Sequence, residues 1–315
     1  MPGDLLSSKH FDGRRFFNPG APQARGFLDV LRWKFTSRPE KSPRFVADVQ
    51  PVKPPPYIRE AALHVTMVNH STVLLQQPGS NILTDPIWSE RTSPVQFAGP
   101  RRRRAPGVRL EDLPAIDVVL LSHNHYDHLD LTTLKIIAAA GKSQFIVPLG
   151  LARLLRKHGI APVHELDWGQ SRTIAQTTIH SVPAFHFSAR TPFDRNRTLW
   201  CGYMIECGGR WIYFAADTAF GPHFDEIRAR FGPPRLALLP IGAYEPRWFM
   251  SPVHMAPDQA ARAHQILAAE TSIAIHHGTF QLADESIDAP AKLLRESTAD
   301  PSFRVLSNGQ SVTLD

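Results

Sequence analysis

Residues 116–130 read IDVVLLSHNHYDHLD. The opening run IDVVLLS is almost wholly apolar, the pattern of a strand buried on both faces. It leads without a break into His123, His125, Asp127 and His128, all able to ligate a metal. Zinc prefers imidazole nitrogen and carboxylate oxygen. A rigid strand end and a tight loop aim the alternate residues His123 and His125 into one pocket. Asp127 and His128, on the turn toward the next element, are left to face a second ion. One histidine among the 15 of this chain would be ordinary; three with an aspartate in H-x-H-x-D-H order point to a metal centre.

Upstream, ALHVTMVNHSTVLLQQPGSNILTDP (62–86) reads as strand, strand, Pro-Gly-Ser turn and strand, a meander. Downstream, LTTLKIIAAAGK (131–142) predicts a helix ending near Gly141, FIVPLG (145–150) a buried strand, and LARLLRKHG (151–159) a helix stopping at Gly159. TIHSVPAF (178–185) is a strand, and LWCGYMIE and RWIYFAAD flank Cys207-Gly208-Gly209 as a hairpin. RLALLPIG (235–242) and SIAIHHG (272–278) are apolar strands separated by the helical PDQAARAHQILAAE. Strands first, then strands mixed with helices, predict an α/β protein built as a four-layer αββα sandwich.

His186, Asp217 and His276 each stand where one of these strands runs out, the place where α/β folds gather functional groups. Seven ligands then divide into two sites. His123, His125 and His186 serve one zinc; Asp127, His128 and His276 serve the other; Asp217 bridges, leaving a shared position for water. Iron or manganese suits part of the same donor set.

The 315 residues, 43% hydrophobic and 20% charged, describe an ordinary globular protein and exclude disordered and fibrous classes. A formal charge of +6 favours an anionic partner. No appended basic or aromatic-interleaved module offers to hold a nucleic acid strand, so none is expected as a partner. Cys201 and Cys207 are read as reduced and structural. The N-terminal stretch lacks the apolar core of a secretory signal, and no run approaches the roughly 18 apolar residues of a membrane span. The expectation is a cytoplasmic protein, soluble or peripheral on a membrane.

Residues 1–60 hold nine prolines and many basic residues, and are read as an arm wrapping a hydrolase domain at 61–315. Within the arm, Phe27, Leu28, Val30, Leu31 and Phe35 recur at helical spacing, predicting an amphipathic helix. Packing on its own body is the expected fate of the apolar face, with lipid or a partner as the alternative. The densest charge run, Arg101–Arg104, is read as a solvated face, with attraction to anionic lipid as its other reading.

The H-x-H-x-D-H loop, followed by His186, Asp217 and His276, resembles the metallo-β-lactamase superfamily. A narrower likeness is to the branch of N-acyl-phosphatidylethanolamine-hydrolysing phospholipases D and their bacterial relatives. It is carried by GRRFFNP (13–19), NHSTVLLQ (69–76), NILTDPIWS (81–89), LSHNHYDHLD (121–130), FAADT (214–218), GAYEPRWFM (242–250) and AIHHGTF (274–280), in that family's order. GAYEPRWFM is the most telling, since it holds no metal ligand.

The resemblance implies the αββα sandwich, two zinc ions and attack by a metal-bridging hydroxide. It also implies a phospholipid substrate, cleaved at the phosphodiester bond between the phosphate and the N-acylethanolamine to release an N-acylethanolamine and phosphatidic acid, and a homodimer. It assigns His254 a catalytic or phosphate-contacting role beside Asp127. His277 and Val253 depart from the mammalian members, which have tryptophan and a polar amide there, and so bear on acyl-chain and headgroup preference. Three other readings compete: a lactonase or other carboxyl-ester hydrolase on the same scaffold, a metal-dependent nucleic-acid-processing enzyme, and a non-catalytic membrane-surface or nucleic-acid-binding protein. The last would have no need of a complete ligand set.

Overall fold

A computed structural model describes residues 8–22, 24–59 and 62–315. The apolar runs form two seven-stranded mixed sheets. The first contains β1 (Leu63–Asn69), β2 (Thr72–Gln77), β3 (Ser80–Thr84), β4 (Val118–Leu120), β5 (Gln144–Pro148) and β6 (Val163–Leu166). The second contains β7 (Ser171–Ile174), β8 (Thr177–Val182), β9 (Gly202–Cys207), β10 (Arg210–Phe214), β11 (Leu236–Pro240), β12 (Thr271–Ile275) and β13 (Phe303–Arg304). The last strand, β14 (Ser311–Leu314), returns to pair antiparallel with β1.

The helices are α1 (Phe27–Thr36), α2 (Leu131–Ala139), α3 (Ala152–Lys157), α4 (His223–Phe231), α5 (Arg247–Met250), α6 (Pro257–Leu267) and α7 (Ala289–Ser297). Strands joined by tight turns run antiparallel, and most strands joined by longer, mostly helical crossovers run parallel; β8 and β9, joined by the long loop 183–201, remain antiparallel.

Burial explains why the central strands are apolar at nearly every position. Leu63, Val65 and Met67 of β1 meet Tyr203 and Ile205 of β9 in a core between the sheets. The opposite face of the first sheet packs Leu74, Val119 and Phe145 on Leu134 of α2 and Leu155 of α3. The second sheet packs Ala237, Leu239 and Ala274 on Phe224 and Ile227 of α4, Leu267 of α6 and Leu294 of α7. Three apolar layers separate four layers of backbone, the αββα sandwich. Each fully buried leucine or phenylalanine contributes about 1.5–3 kcal/mol.

Residues 8–22 and 24–59 lie along this body, with one helix among them. Phe16 is buried against Leu149, Leu199 and Trp200. His10 stacks on Trp168 with ring centroids 4.1 Å apart, and its Nε2 lies 2.7 Å from Asp167. Asn18 donates from Nδ2 to the carbonyl of His186 at 2.9 Å and accepts from Trp200 Nε1 at 2.9 Å.

Two segments differ from the sequence reading. No residue of α1 is fully buried; Trp33 stacks on Phe249 at 4.8 Å, while Phe27, Leu28 and Phe35 are 72%, 78% and 86% exposed. The run Arg101–Arg104 is mostly a set of internal tethers. Arg102 is 5% exposed and donates to Asn69 Oδ1 and the carbonyls of Ile87 and Ser89. Arg103 donates to the Pro43 carbonyl, and Arg104 pairs with Asp48 and Asp288. Only Arg101, pairing with Glu90 across the surface, fits a solvated face.

Candidate metal centre

The loop after β4 is braced before it carries any chemistry. Asp85, just beyond β3, accepts the Ser122 N–H at 2.7 Å on Oδ1 and the Ser122 hydroxyl at 2.5 Å on Oδ2. The chain then turns tightly, with the N–H groups of His128 and Leu129 both donating to the His125 carbonyl. Arg190 donates to the carbonyls of Asn124 and Leu129, each at 2.9 Å, and its guanidinium covers the Tyr126 ring at 3.9 Å. Asp130 caps α2 and stops the loop.

From the second sheet, His186 follows β8, Asp217 follows β10 and His276 follows β12. His276 has a left-handed backbone (φ 59°), and its N–H donates to the His70 carbonyl at 2.8 Å. A Cβ on Gly242 would lie 2.0 Å from the His276 carbonyl oxygen, so only glycine allows that approach.

All seven residues singled out as ligands converge. His123 Nε2 lies 2.8 Å and His186 Nε2 3.1 Å from His125 Nδ1. On the other side, Asp127 Oδ2 is 3.2 Å from His128 Nε2 and 3.3 Å from His276 Nε2. Asp217 Oδ2 stands between the groups, 3.2 Å from His128 Nε2, 3.0 Å from His276 Nε2 and 3.8 Å from His186 Nε2. Donors about 2.0–2.1 Å from a tetrahedral zinc lie about 3.3 Å apart, so this spacing fits such an ion. Three imidazole nitrogens aimed at one point have no mutual hydrogen-bonding pattern that satisfies them all. Asp217 Oδ1 and His128 Nε2 are buried without a hydrogen-bond partner among the described residues. The donor set therefore fits a pair of divalent cations.

Electrostatics agree. Burial, then the charge of neighbouring histidines, holds His123 well below the ordinary imidazole range. Burial lowers His125 to about 3 and His186 to about 4. These are neutral donors. Burial also opposes a charge on His128, yet Asp217, Asp127 and Asp85 outweigh it and push His128 well above 6.5. Asp217 and Asp127 likewise raise His276 to about 9 against burial. Both aspartates stay far below the usual carboxylate range despite burial, because His128 and His276 face them. A pocket that draws protons onto two buried histidines attracts positive charge, which a metal can supply instead.

The sequence reading missed two supporting residues. His70, at the β1–β2 turn, places Nε2 3.0 Å from Asp127 Oδ2, with burial lowering its pKa to about 3. Asp85 Oδ2 lies 2.7 Å from His128 Nδ1, which turns Nε2 toward the cluster. In the same way His186 Nδ1 donates to the Val253 carbonyl at 2.9 Å and frees its Nε2. Such partners orient metal-ligating imidazoles. A histidine and an aspartate in the family-like segments NHSTVLLQ and NILTDPIWS were the available signals.

A cavity of about 330 Å³ opens onto the cluster. His125, Asp127, Asp217, His254 and His276 form its polar floor; Val30, Trp33, Phe187, Phe249, Met250 and Leu282 line apolar walls. His254 stacks on His276 with centroids 5.3 Å apart, and its Nδ1 is 3.9 Å from Asp217 Oδ2. GAYEPRWFM supplies one wall through Ala243, Phe249 and Met250. Glu285 holds this segment by accepting the N–H groups of Ala243, Tyr244 and Glu245.

A family model described as the Beta-lactamase superfamily domain matches residues 80–277. The chain belongs to this superfamily. N-acyl-phosphatidylethanolamine-hydrolyzing phospholipase D 1 of Caenorhabditis elegans is 39% identical over 269 residues, 80% of this chain and 76% of that protein. The mitochondrial N-acyl-phosphatidylethanolamine-hydrolyzing phospholipase D of Saccharomyces cerevisiae is 34% identical over 223 residues, 69% of this chain and 47% of that protein. Igni18, described as a novel metallo hydrolase from the archaeon Ignicoccus hospitalis, matches with a TM-score of 0.62 over 81% of this chain and 99% of its own. At 24% identity that likeness concerns the fold. This superfamily member is a metal-dependent hydrolase.

Proposed function

We propose that the chain cleaves a phosphodiester in an N-acylated phospholipid at a two-zinc centre. The observation that carries this reading is the apolar cavity over the donor cluster, walled by GAYEPRWFM. It offers an acyl chain a place beside a site suited to a phosphate. Relatives named as hydrolysing N-acyl-phosphatidylethanolamine support the same choice.

His123, His125 and His186 would hold one zinc and Asp127, His128 and His276 the other, with Asp217 shared. When bound, the ions would supply activated water and neutralise charge on the phosphoryl oxygens. The rest falls to side chains. Asp127, which His70, His128 and His276 surround and hold ionised, accepts a hydrogen bond from the attacking water and keeps that water aimed. His254, on the cavity floor, donates a hydrogen bond to the phosphate or the departing alkoxide. Phe249, Met250 and Val30 exclude bulk water from the reacting group.

Among the described residues no helix is long and apolar enough to cross a membrane. Access to a lipid is proposed to come through peripheral contact by the outward face of α1, where Phe27, Leu28 and Phe35 stand beside Arg32 and Lys34.

The test combines metal analysis with a panel of bis-phosphodiester, lactone and N-acylated phospholipid substrates. Release of phosphatidic acid from the phospholipid, lost together with metal in Asp217→Ala, is expected. Turnover of the lactone alone would overturn the phosphodiester reading.

A further inference from the structure

The cavity mouth carries two cations that the reaction described above leaves unused. Arg25 and Arg195 both line it. Arg195 Nη2 donates to the carbonyls of Ala24 and Arg25 at 3.0 and 2.9 Å, and its guanidinium lies over the Phe187 ring at 5.2 Å. Phe187 in turn meets the His125 ring edge-on at 4.5 Å, so this cation sits one aromatic ring from the donor cluster. Arg25 Nε donates to the Trp248 carbonyl at 3.1 Å.

Among the described residues neither arginine has a carboxylate partner within ion-pair distance. Burial, and then the nearby charge of Arg15, lowers the pKa of Arg195. A half-buried guanidinium held by backbone carbonyls near another cation loses hydration without gaining a counter-charge. Arg104 is neutralised by Asp48 and Asp288, whereas Arg102 and Arg190 are, like Arg195, held by carbonyl oxygens. What distinguishes Arg195 and Arg25 is that they line the cavity over the donor cluster.

We propose that Arg195 and Arg25 form an anion-binding subsite for a second oxyanion of the substrate, a carboxylate or phosphate several bonds from the group attacked at the metal cluster. Planar guanidinium groups suit both oxyanions by paired hydrogen bonds. The subsite rests on the proposed use of this cavity for catalysis. It would favour N-acylated phospholipids whose headgroup keeps a second oxyanion over N-acyl-phosphatidylethanolamine, whose one oxyanion is the phosphodiester, while the apolar walls select by chain.

The experiment uses the metal-loaded full chain and phosphodiester substrates in matched sets, identical except for a remote carboxylate, phosphate or carboxamide. The wild type is expected to favour the charged members by about tenfold in kcat/KM, the scale of a hydrogen-bonded charge, carried by KM. Arg195→Gln is expected to abolish the preference, Arg25→Gln to weaken it, and Arg195→Lys to restore part of it. Whether carboxylate or phosphate gains more identifies the oxyanion. A wild type without preference, or a preference that survives Arg195→Gln, overturns the subsite; equal loss on all substrates would mark Arg195 as only a tie to residues 24–25. The same sets on a carboxyl-ester scaffold separate the two claims. Charge preference there without phosphodiester turnover keeps the subsite and rejects the phosphodiester reading.

Discussion

The carboxylate of Asp85 lies 2.7 Å from Nδ1 of His128, and both side chains are fully buried. With Nδ1 engaged, His128 can offer only Nε2 to the cluster, so Asp85 sets the tautomer from outside the donor set. Asp85→Asn replaces the acceptor with an amide that can turn its N–H toward Nδ1. Metal affinity is expected to fall by about 10–100-fold, the usual effect of losing such a partner. Competition against a chelator measures this; unchanged affinity would show that Asp85 serves only the Ser122 turn.

Arg102 and Arg101 are neighbours with different jobs. Removing the buried Arg102 side chain leaves Asn69 Oδ1 and the Ser89 carbonyl without their donor, and the Ile87 carbonyl with only Asn69 Nδ2. Arg102→Ala is expected to cost about 2–4 kcal/mol in denaturant unfolding. Arg101→Ala should change stability by less than about 1 kcal/mol, because its pair with Glu90 is solvent-exposed. Equal effects would contradict the tether reading.

His223 predicts a pH dependence of stability. Burial lowers its pKa from 6.5 to about 3 in the folded chain. Between those values the unfolded chain binds the extra proton, so His223 stabilises the fold fully above about pH 6.5 and progressively less as the pH falls. The slope approaches about 1.4 kcal/mol per pH unit from this residue. His223→Gln is expected to flatten the stability curve between pH 6 and pH 4 by about that slope, read from urea midpoints. An unchanged curve would mean that His223 is protonated in the native chain.

The outward face of α1 gives a separate test. Replacing Phe27, Leu28 and Phe35 together with serine should weaken partition onto vesicles containing anionic phospholipid by at least about tenfold, given the apolar area removed. Cosedimentation measures it. Unaltered binding would place membrane contact elsewhere.

These residues also show what the sequence could convey. The candidate ligands could be picked out because His123 to His128 are nearly contiguous, while His186, Asp217 and His276 each end an apolar run. His70 and Asp85 were not, since their roles depend on contacts made across the first sheet and on the turn of β12. The polar α4, the short and exposed β7, and β14, which pairs with a strand at the far end of the domain, carry weak local patterns. The Arg101–Arg104 run looked solvated because charge in sequence says nothing of the carbonyls and carboxylates that distant segments bring to it.

The central claim is phosphoryl attack on an N-acylated phospholipid at the clustered donors. Hydrolysis of N-acyl-phosphatidylethanolamine in heavy-oxygen water, with mass analysis of both products, tests it directly. The label is predicted in the phosphate of phosphatidic acid and absent from the N-acylethanolamine. Label in a released fatty acid, or no phosphatidic acid from metal-loaded protein, would contradict it.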